Sequence, residues 1–149
     1  MWPFCYVLWN EVLFFLWKWR LQIIMEFSES LKKNCQFQFV YKTGKSYANK
    51  LFIMYVKKNN LEGNRIGISV SKKVGNSVVR HRVTRLVRES YRLREKVFNS
   101  GLDIVIVARP GAATSAYKDV ESAILHLGRL HRIIMEEWSF RMEVFIFHL

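Results

Sequence analysis

Hydrophobic positions along this chain recur with two periods, and the switches between them mark out the elements. Over residues 28–41, Leu31, Phe37, Val40 and Tyr41 suit a short amphipathic helix, and Gly44 is placed to stop it. Residues 51–56 (LFIMYV) alternate instead, with Leu51, Ile53 and Tyr55 on one face of a strand and Phe52, Met54 and Val56 on the other. Asn59, Asn60, Gly63 and Asn64 supply turn chemistry before a second strand at 66–70. Helical periodicity returns from 77 to 98, with Asn76 as its N-cap. Residues 103–108 (DIVIVA) form the continuous apolar run expected of a buried strand. Arg109-Pro110-Gly111 ends it, and Thr114 or Ser115 can cap a last helix reaching residue 138. Val120, Ile124, Leu127 and Ile134 would line the core face of that helix. The order α-β-β-α-β-α predicts an α+β fold, a two-layer α-β sandwich.

The ends of the chain fall outside this pattern. Residues 1–24 hold four of the five tryptophans and few charges. They lack the basic start and small-residue cleavage site of a signal peptide, and Asn10 with Glu11 would sit mid-span in a membrane helix. The expectation is an apolar extension over 1–24, a single domain over 25–140 that starts at Met25, and an apolar tail over 141–149. The whole chain, 149 residues with 50% hydrophobic positions, is long enough for one domain with a modest core.

Charge changes the picture most. The net charge is +12, which favours a polyanionic partner. Between positions 72 and 94 the chain carries eight Lys/Arg against the single carboxylate Glu89. On a helix, His81, Arg85, Arg88 and Arg92 follow one another at i, i+4, i+7 and i+11. They lie opposite the stripe of Val79, Val83, Leu86, Val87, Ser90 and Leu93, with Arg80 and Arg82 flanking the row. The row would be about 16 Å long at 1.5 Å per residue. Ordinary solvated faces alternate sign to gain i,i+4 ion pairs, whereas carboxylates are nearly absent here. Arginine forks suit phosphate, and Lys72, Lys73 and the Gly75-Asn76 turn lie just upstream, so nucleic acid is the expected ligand. No apolar side remains for a membrane.

Other chemistry is sparse. Cys5 and Cys35 make no CxxC and no zinc spacing, which suggests reduced thiols in a cytosol. His126 and His131 stand about 140° apart on a helix and would not share a metal. His131 falls near the apolar stripe, as a core-edge histidine does. No carboxylate cluster is placed to hold metals for phosphodiester cleavage, and Gly67-x4-Lys72 lacks the second glycine of a phosphate loop. No catalytic residue and no metal site are therefore expected in the protein.

The segment SVSKKVGNSVVRHRVTRLVRESYR (69–92) resembles the signature of the bacterial ribonuclease P protein family. The resemblance extends through LKKNCQFQFVYKTGKSYANKLFIMYV upstream and DIVIVARPGAA downstream, and covers about 31–134. It implies the protein subunit of an endoribonuclease that removes the 5′ leader of precursor tRNA. The partners would be a catalytic RNA subunit and precursor tRNA, with no small-molecule ligand and no membrane, in the cytoplasm. The catalytic centre and the cofactor Mg²⁺ would belong mainly to the RNA. RNA-binding positions would be Lys72, Lys73, Asn76, Arg80, His81, Arg82, Arg85, Arg88 and Arg92. Phe37, Tyr41, Ile53 and Tyr55 would line a leader-binding cleft, although an apolar stripe of this kind equally suits a buried core. The resemblance also implies a left-handed β-α-β crossover, against the general rule.

Two positions depart from the family pattern. His81 stands where asparagine is usual between Arg80 and Arg82, and Thr84 where a lysine is common before Arg85. His81 would replace the asparagine's polar contact, and Thr84 would remove about one ionic contact. Six phosphate contacts would give a log–log salt slope of about −4 to −5. The rival reading is a non-catalytic structural RNA-binding protein of ribosomal type.

Overall fold

The computed structural model describes residues 28–135. The expectations for 1–24 and 141–149 lie outside these residues. The elements run β1 (Ser28–Ser30), α1 (Asn34–Thr43), β2 (Lys45–Ala48), β3 (Phe52–Lys58), β4 (Asn64–Ser69), α2 (Ser77–Arg94), β5 (Leu102–Ala108) and α3 (Tyr117–Leu130). Short 3-10 turns occupy Lys72–Val74, Glu95–Val97 and Pro110–Thr114. The five strands form one mixed sheet in the order β1-β4-β5-β3-β2. β1 and β5 flank β4 in parallel, while β3 pairs antiparallel with both β5 and β2. The predicted α+β class is the observed one.

The register divides the sheet into two faces, because successive side chains point to opposite sides. Phe52, Met54 and Val56 of β3 and Ile104 and Ile106 of β5 point to α2 and α3 and are buried with Val83, Val87, Val120, Ile124 and Leu127. This half is the expected two-layer sandwich. On the other face α1 adds a partial further layer, burying Leu31, Val40 and Val105 with Phe37, Tyr41, Tyr55 and Val107 packed around them. β5 has a layer on each side, which is why its sequence is continuously apolar.

Several boundaries differ from the sequence expectation, each for a local reason. Residues 28–30 form an edge strand rather than the first turn of a helix, and the Leu31 amide extends the pairing to the Ile66 carbonyl at 2.8 Å. α1 starts only after Lys33, where the Gln36 Oε1 accepts from the amides of Lys32 and Lys33. Gly44 ends it as expected: its amide reaches the Val40 carbonyl at 2.8 Å, and a Cβ there would sit 2.7 Å from that oxygen. β2 (KSYA) carries no alternation because all four residues are exposed on the sheet edge.

α2 keeps Asn76 as its N-cap, the side chain accepting from the Val79 amide at 3.0 Å, but ends at Arg94, with residues 95–97 tightening into a 3-10 turn. Its buried residues are Val83, Val87, Ser90 and Tyr91. Leu93, expected in the stripe, is 56% exposed. The buried stripe is therefore rotated by about 60° towards Tyr91 at 100° per residue. α3 begins at Tyr117 and ends at Leu130. Arg132, in the left-handed region with φ 56°, turns the chain back, so that Ile134 packs on the core from a bridge to Phe98 and not from a helix.

Asn64, 5% exposed, is the polar centre of this arrangement. Its Nδ2 donates to the Asn99 carbonyl at 2.8 Å and to the Tyr91 hydroxyl at 3.2 Å, while its Oδ1 accepts from the Leu102 amide at 3.0 Å. The Tyr91 hydroxyl also lies 3.1 Å from Ser28 Oγ. Burial pushes the Tyr91 phenol up from its ordinary value, against the lowering effect of these two partners. His131 is the core-edge histidine expected of it: Nε2 donates to the Met54 carbonyl at 2.9 Å, and the ring meets Tyr47 edge-on at 4.7 Å. Burial lowers its pKa below 6.5, with Lys45 acting the same way and the Met54 contact opposing.

Asn64→Leu should cost about 2–3 kcal/mol in urea unfolding, because buried groups on Leu102, Asn99 and Tyr91 lose their partner together. His131 should make stability fall with acid. The depressed pKa means that the folded state resists a proton the unfolded chain accepts, so stability held above the ordinary value of 6.5 declines as pH drops below it. Thermal melts at neutral pH and at about pH 5.5 should show a larger acid loss in the parent than in His131→Gln.

Candidate nucleic-acid interface

The rotation of α2 decides what its cations can do. With the buried stripe centred between Val83 and Tyr91, Arg85 lies directly opposite, and it, His81 and Arg88 are exposed. Arg85 and Arg88 have no ion pair among the described residues. The same holds for Lys72 and Lys73, exposed on the 3-10 turn that follows β4. These cations form the open part of the surface.

Of the remaining predicted contacts, Arg82, Arg92 and Asn76 are engaged within the protein. Arg82 donates from Nη1 to the Ala113 carbonyl at 3.2 Å and from Nη2 to the Ser115 carbonyl at 2.9 Å, tying α2 to the segment before α3. Arg92 forms a fork on Glu89, with contacts of 3.0 and 2.6 Å. That pairing raises the Arg92 pKa and lowers the Glu89 pKa. Arg80 sits on the flank nearest the core, half buried, and its Nε has no hydrogen-bond partner among the described residues. The Asn76 side chain is exposed but its oxygen is committed to the helix cap. Thr84 turns its hydroxyl back to the Arg80 carbonyl at 2.9 Å, which accounts for a hydroxyl residue being accommodated in mid-helix.

The cleft residues come together on the opposite face of the sheet. Phe37 and Tyr41 lie one turn apart on α1, with ring centroids 6.5 Å apart, and Tyr41 meets Tyr55 of β3 edge-on at 5.0 Å. All three rings and Ile53 are half buried, neither sealed in the core nor fully open. The register shows how they are arranged. Gly67, Val105, Tyr55 and Ser46 form one row across β4, β5, β3 and β2, and α1 lies over this row. Ser69, Val107, Ile53 and Ala48 form the next row, alongside α1. That row is a trough with an apolar floor and an aromatic wall.

The trough also has a charged end. Lys72 and Lys73 follow Ser69 by three and four residues, so the β4 end of the trough runs towards the lysine pair. On the far side of α1, Arg65 grips Asp103 with contacts of 2.7 and 2.6 Å, and Asn59 Nδ2 adds a third contact to the same carboxylate at 3.0 Å. The Lys57 ammonium stands 3.5 Å from the centroid of the Phe39 ring. Sequence reasoning missed Ser69, Val107 and Ala48, since membership of the trough depends on strand register. The family resemblance named Ile53 and Tyr55, and the alternation of 51–56 put them on one face, but neither could say what lay beside them.

A family model for ribonuclease P matches residues 25–131. The ribonuclease P protein component of Lachnoclostridium phytofermentans is 64% identical over 107 residues, spanning 72% of this chain and 92% of its own length. That of Alkaliphilus metalliredigens is 56% identical over 110 residues, spanning 74% and 99%. The solved ribonuclease P protein of Staphylococcus aureus superposes with a TM-score of 0.66 at 33% identity, over 71% of this chain and 97% of that one. The Thermotoga maritima protein gives a TM-score of 0.63 at 31% identity, over 68% and 96%. Sequence and fold agree over nearly the whole length of these relatives, and the chain belongs to the ribonuclease P protein family.

Proposed function

We propose that this chain is the protein subunit of a ribonuclease P holoenzyme, binding a catalytic RNA through the open cations and the 5′ leader of precursor tRNA through the trough. The observation that carries this reading is the adjacency of two chemistries. An aromatic-walled trough suits unpaired bases, which stack with little sequence demand. Unpaired cations at its β4 end suit the phosphates of the same or a neighbouring strand.

In this reading Lys72, Lys73, Arg85 and Arg88 neutralise RNA phosphates, and His81 offers its ring as a polar contact between them. Arg80, whose Nε is buried, could reach a phosphate only through the terminal nitrogens of its guanidinium. Arg82 keeps its structural tie to the Ala113 and Ser115 carbonyls, and Arg92 remains screened by Glu89. Phe37, Tyr41, Ile53 and Tyr55 hold the leader. Among the described residues no group of three or more His, Cys, Asp or Glu side chains could hold a metal ion. The ions and the bond cleavage belong, in this proposal, to the RNA. Lowering the repulsion between phosphates would let the RNA bind its ions at lower Mg²⁺ concentration. In this proposal the protein acts in the cytoplasm, as the ribonuclease P reading implies. Among the described residues no helix is long and apolar enough to cross a membrane.

Adding the purified protein to its cognate RNA at low Mg²⁺ should raise the rate of precursor-tRNA cleavage. Tight binding without any gain in cleavage would favour a purely structural RNA-binding protein. The log–log salt slope for RNA binding should be about −3 to −4, lower than a count of every cation in the motif suggests, because Arg82 and Arg92 are already engaged. Arg85→Ala and Arg88→Ala should each reduce that slope by about 1 and leave the melting temperature unchanged. Arg82→Ala should instead lose about 1 kcal/mol of stability with the two carbonyl contacts.

A further inference from the structure

Glycine is disfavoured in the middle of a strand, where it adds backbone entropy to the unfolded chain and offers no side chain to pack. Gly67 nevertheless occupies the centre of β4, paired with Val105 of β5 and buried. Its surroundings explain the choice of residue. A Cβ at this position would lie 2.6 Å from Cε1 and 2.8 Å from Cζ of Phe37, and 3.1 Å from Cδ1 of Leu31. The Phe37 ring therefore rests directly on the backbone of β4, in a space that any side chain would fill.

Phe37 is also the first ring of the aromatic wall. Its height above the sheet is passed to Tyr41, one helical turn on, and Tyr41 in turn meets Tyr55 of β3. Carbon–carbon contacts settle at roughly 3.5–4.0 Å, so a methyl group on residue 67 would drive the Phe37 ring back by about 1 Å. The ring could retreat by swinging into the trough or by lifting the start of α1. Either movement changes the width of the trough and leaves Lys72, Lys73 and the exposed face of α2 untouched.

We propose that Gly67 is a positioning residue for the leader: its bare backbone seats Phe37 at the depth that sets the aromatic wall and the width of the trough. The inference rests on the trough being the leader site. Gly67 touches no RNA and acts only through the ring it supports. Its effect should therefore be confined to the leader, with no share in binding the RNA subunit or in the chemical step.

The test uses the holoenzyme reconstituted with the cognate RNA subunit, and compares its affinity for precursor tRNA with that for mature tRNA lacking the leader. Gly67→Ala should reduce the preference for the precursor by about tenfold, the scale of one lost base-stacking contact. RNA-subunit affinity and the cleavage rate at saturating precursor should match the parent. In a Phe37→Ala background, where no ring remains to be displaced, adding Gly67→Ala should cost nothing further. Full leader preference in Gly67→Ala, or an undiminished loss on top of Phe37→Ala, would overturn the proposal. Should Gly67→Ala alone prove too unstable to assay, the double variant must regain folding, and its failure to do so counts against the proposal equally. If the parent holoenzyme binds precursor and mature tRNA alike, the leader site itself is refuted, and the role of Gly67 goes with it.

Discussion

The hydrogen bonds of one buried side chain, Asn64, hold the β4–α2–β5 unit in a single arrangement. β4 and β5 are parallel neighbours, so α2 must cross over between them and pack back on the sheet. Asn64 joins the start of β4 to the start of β5 through the Leu102 amide, and to α2 through the Tyr91 hydroxyl. A polar cluster this deep tolerates few geometries, because each unmet group would carry a desolvation cost. Fixing Tyr91 inward fixes the rotation of α2 about its own axis. The side of the helix that faces solvent, with His81, Arg85 and Arg88, follows from that one constraint.

The same rotation divides cations that the sequence presents as one row. Arg80 is drawn to the core flank, Arg82 reaches the loop before α3, and Arg92 is closed by Glu89, while Arg85 and Arg88 stay open. The division lets one helix serve both the fold and a polyanion. Arg82 is satisfied by carbonyls of a neighbouring segment and Arg92 by a carboxylate of its own helix, whereas the buried Arg80 Nε has no hydrogen-bond partner among the described residues. Arg85 and Arg88, turned outward, have no ion pair within the described residues, and an external phosphate would meet them without first breaking one.

α1 acts on the opposite face in a comparable way. It rests on the row from Gly67 to Tyr55 and leaves the neighbouring row, from Ser69 to Ala48, alongside as a trough. The bidentate Arg65–Asp103 pair and Lys57 over Phe39 occupy its other flank. Asp103 is 2% exposed and held by three hydrogen bonds, so its charge is matched by Arg65 on that flank, while the other flank leaves its row of the sheet open. Half-buried rings are the consequence of a helix that covers only part of a sheet.

The strongly patterned parts were legible in the sequence alone. The alternation at β3, the continuous run of β5, the amphipathic periods of α2 and α3 and the Asn76 cap all follow from short-range rules, and so does the concentration of positive charge on α2. The motif residues also carried the family, since that resemblance lies in order and spacing. What depends on partners distant in the chain was not legible. β1 and β2 are short exposed edges with no periodicity of their own, and they exist because β4 and β3 offer unpaired backbone. Leu93 and Tyr91 exchange roles because Asn64, twenty-seven residues from Tyr91, supplies a hydrogen bond that periodicity cannot anticipate. Which arginines are paired, and that Phe37, Tyr41, Ile53 and Tyr55 are half buried rather than sealed in the core, follows only from register and helix rotation, which place carbonyls, a carboxylate and an open row of the sheet beside them. Periodicity is a property of one segment, whereas exposure and pairing are properties of two, and only the folded chain brings the second into place.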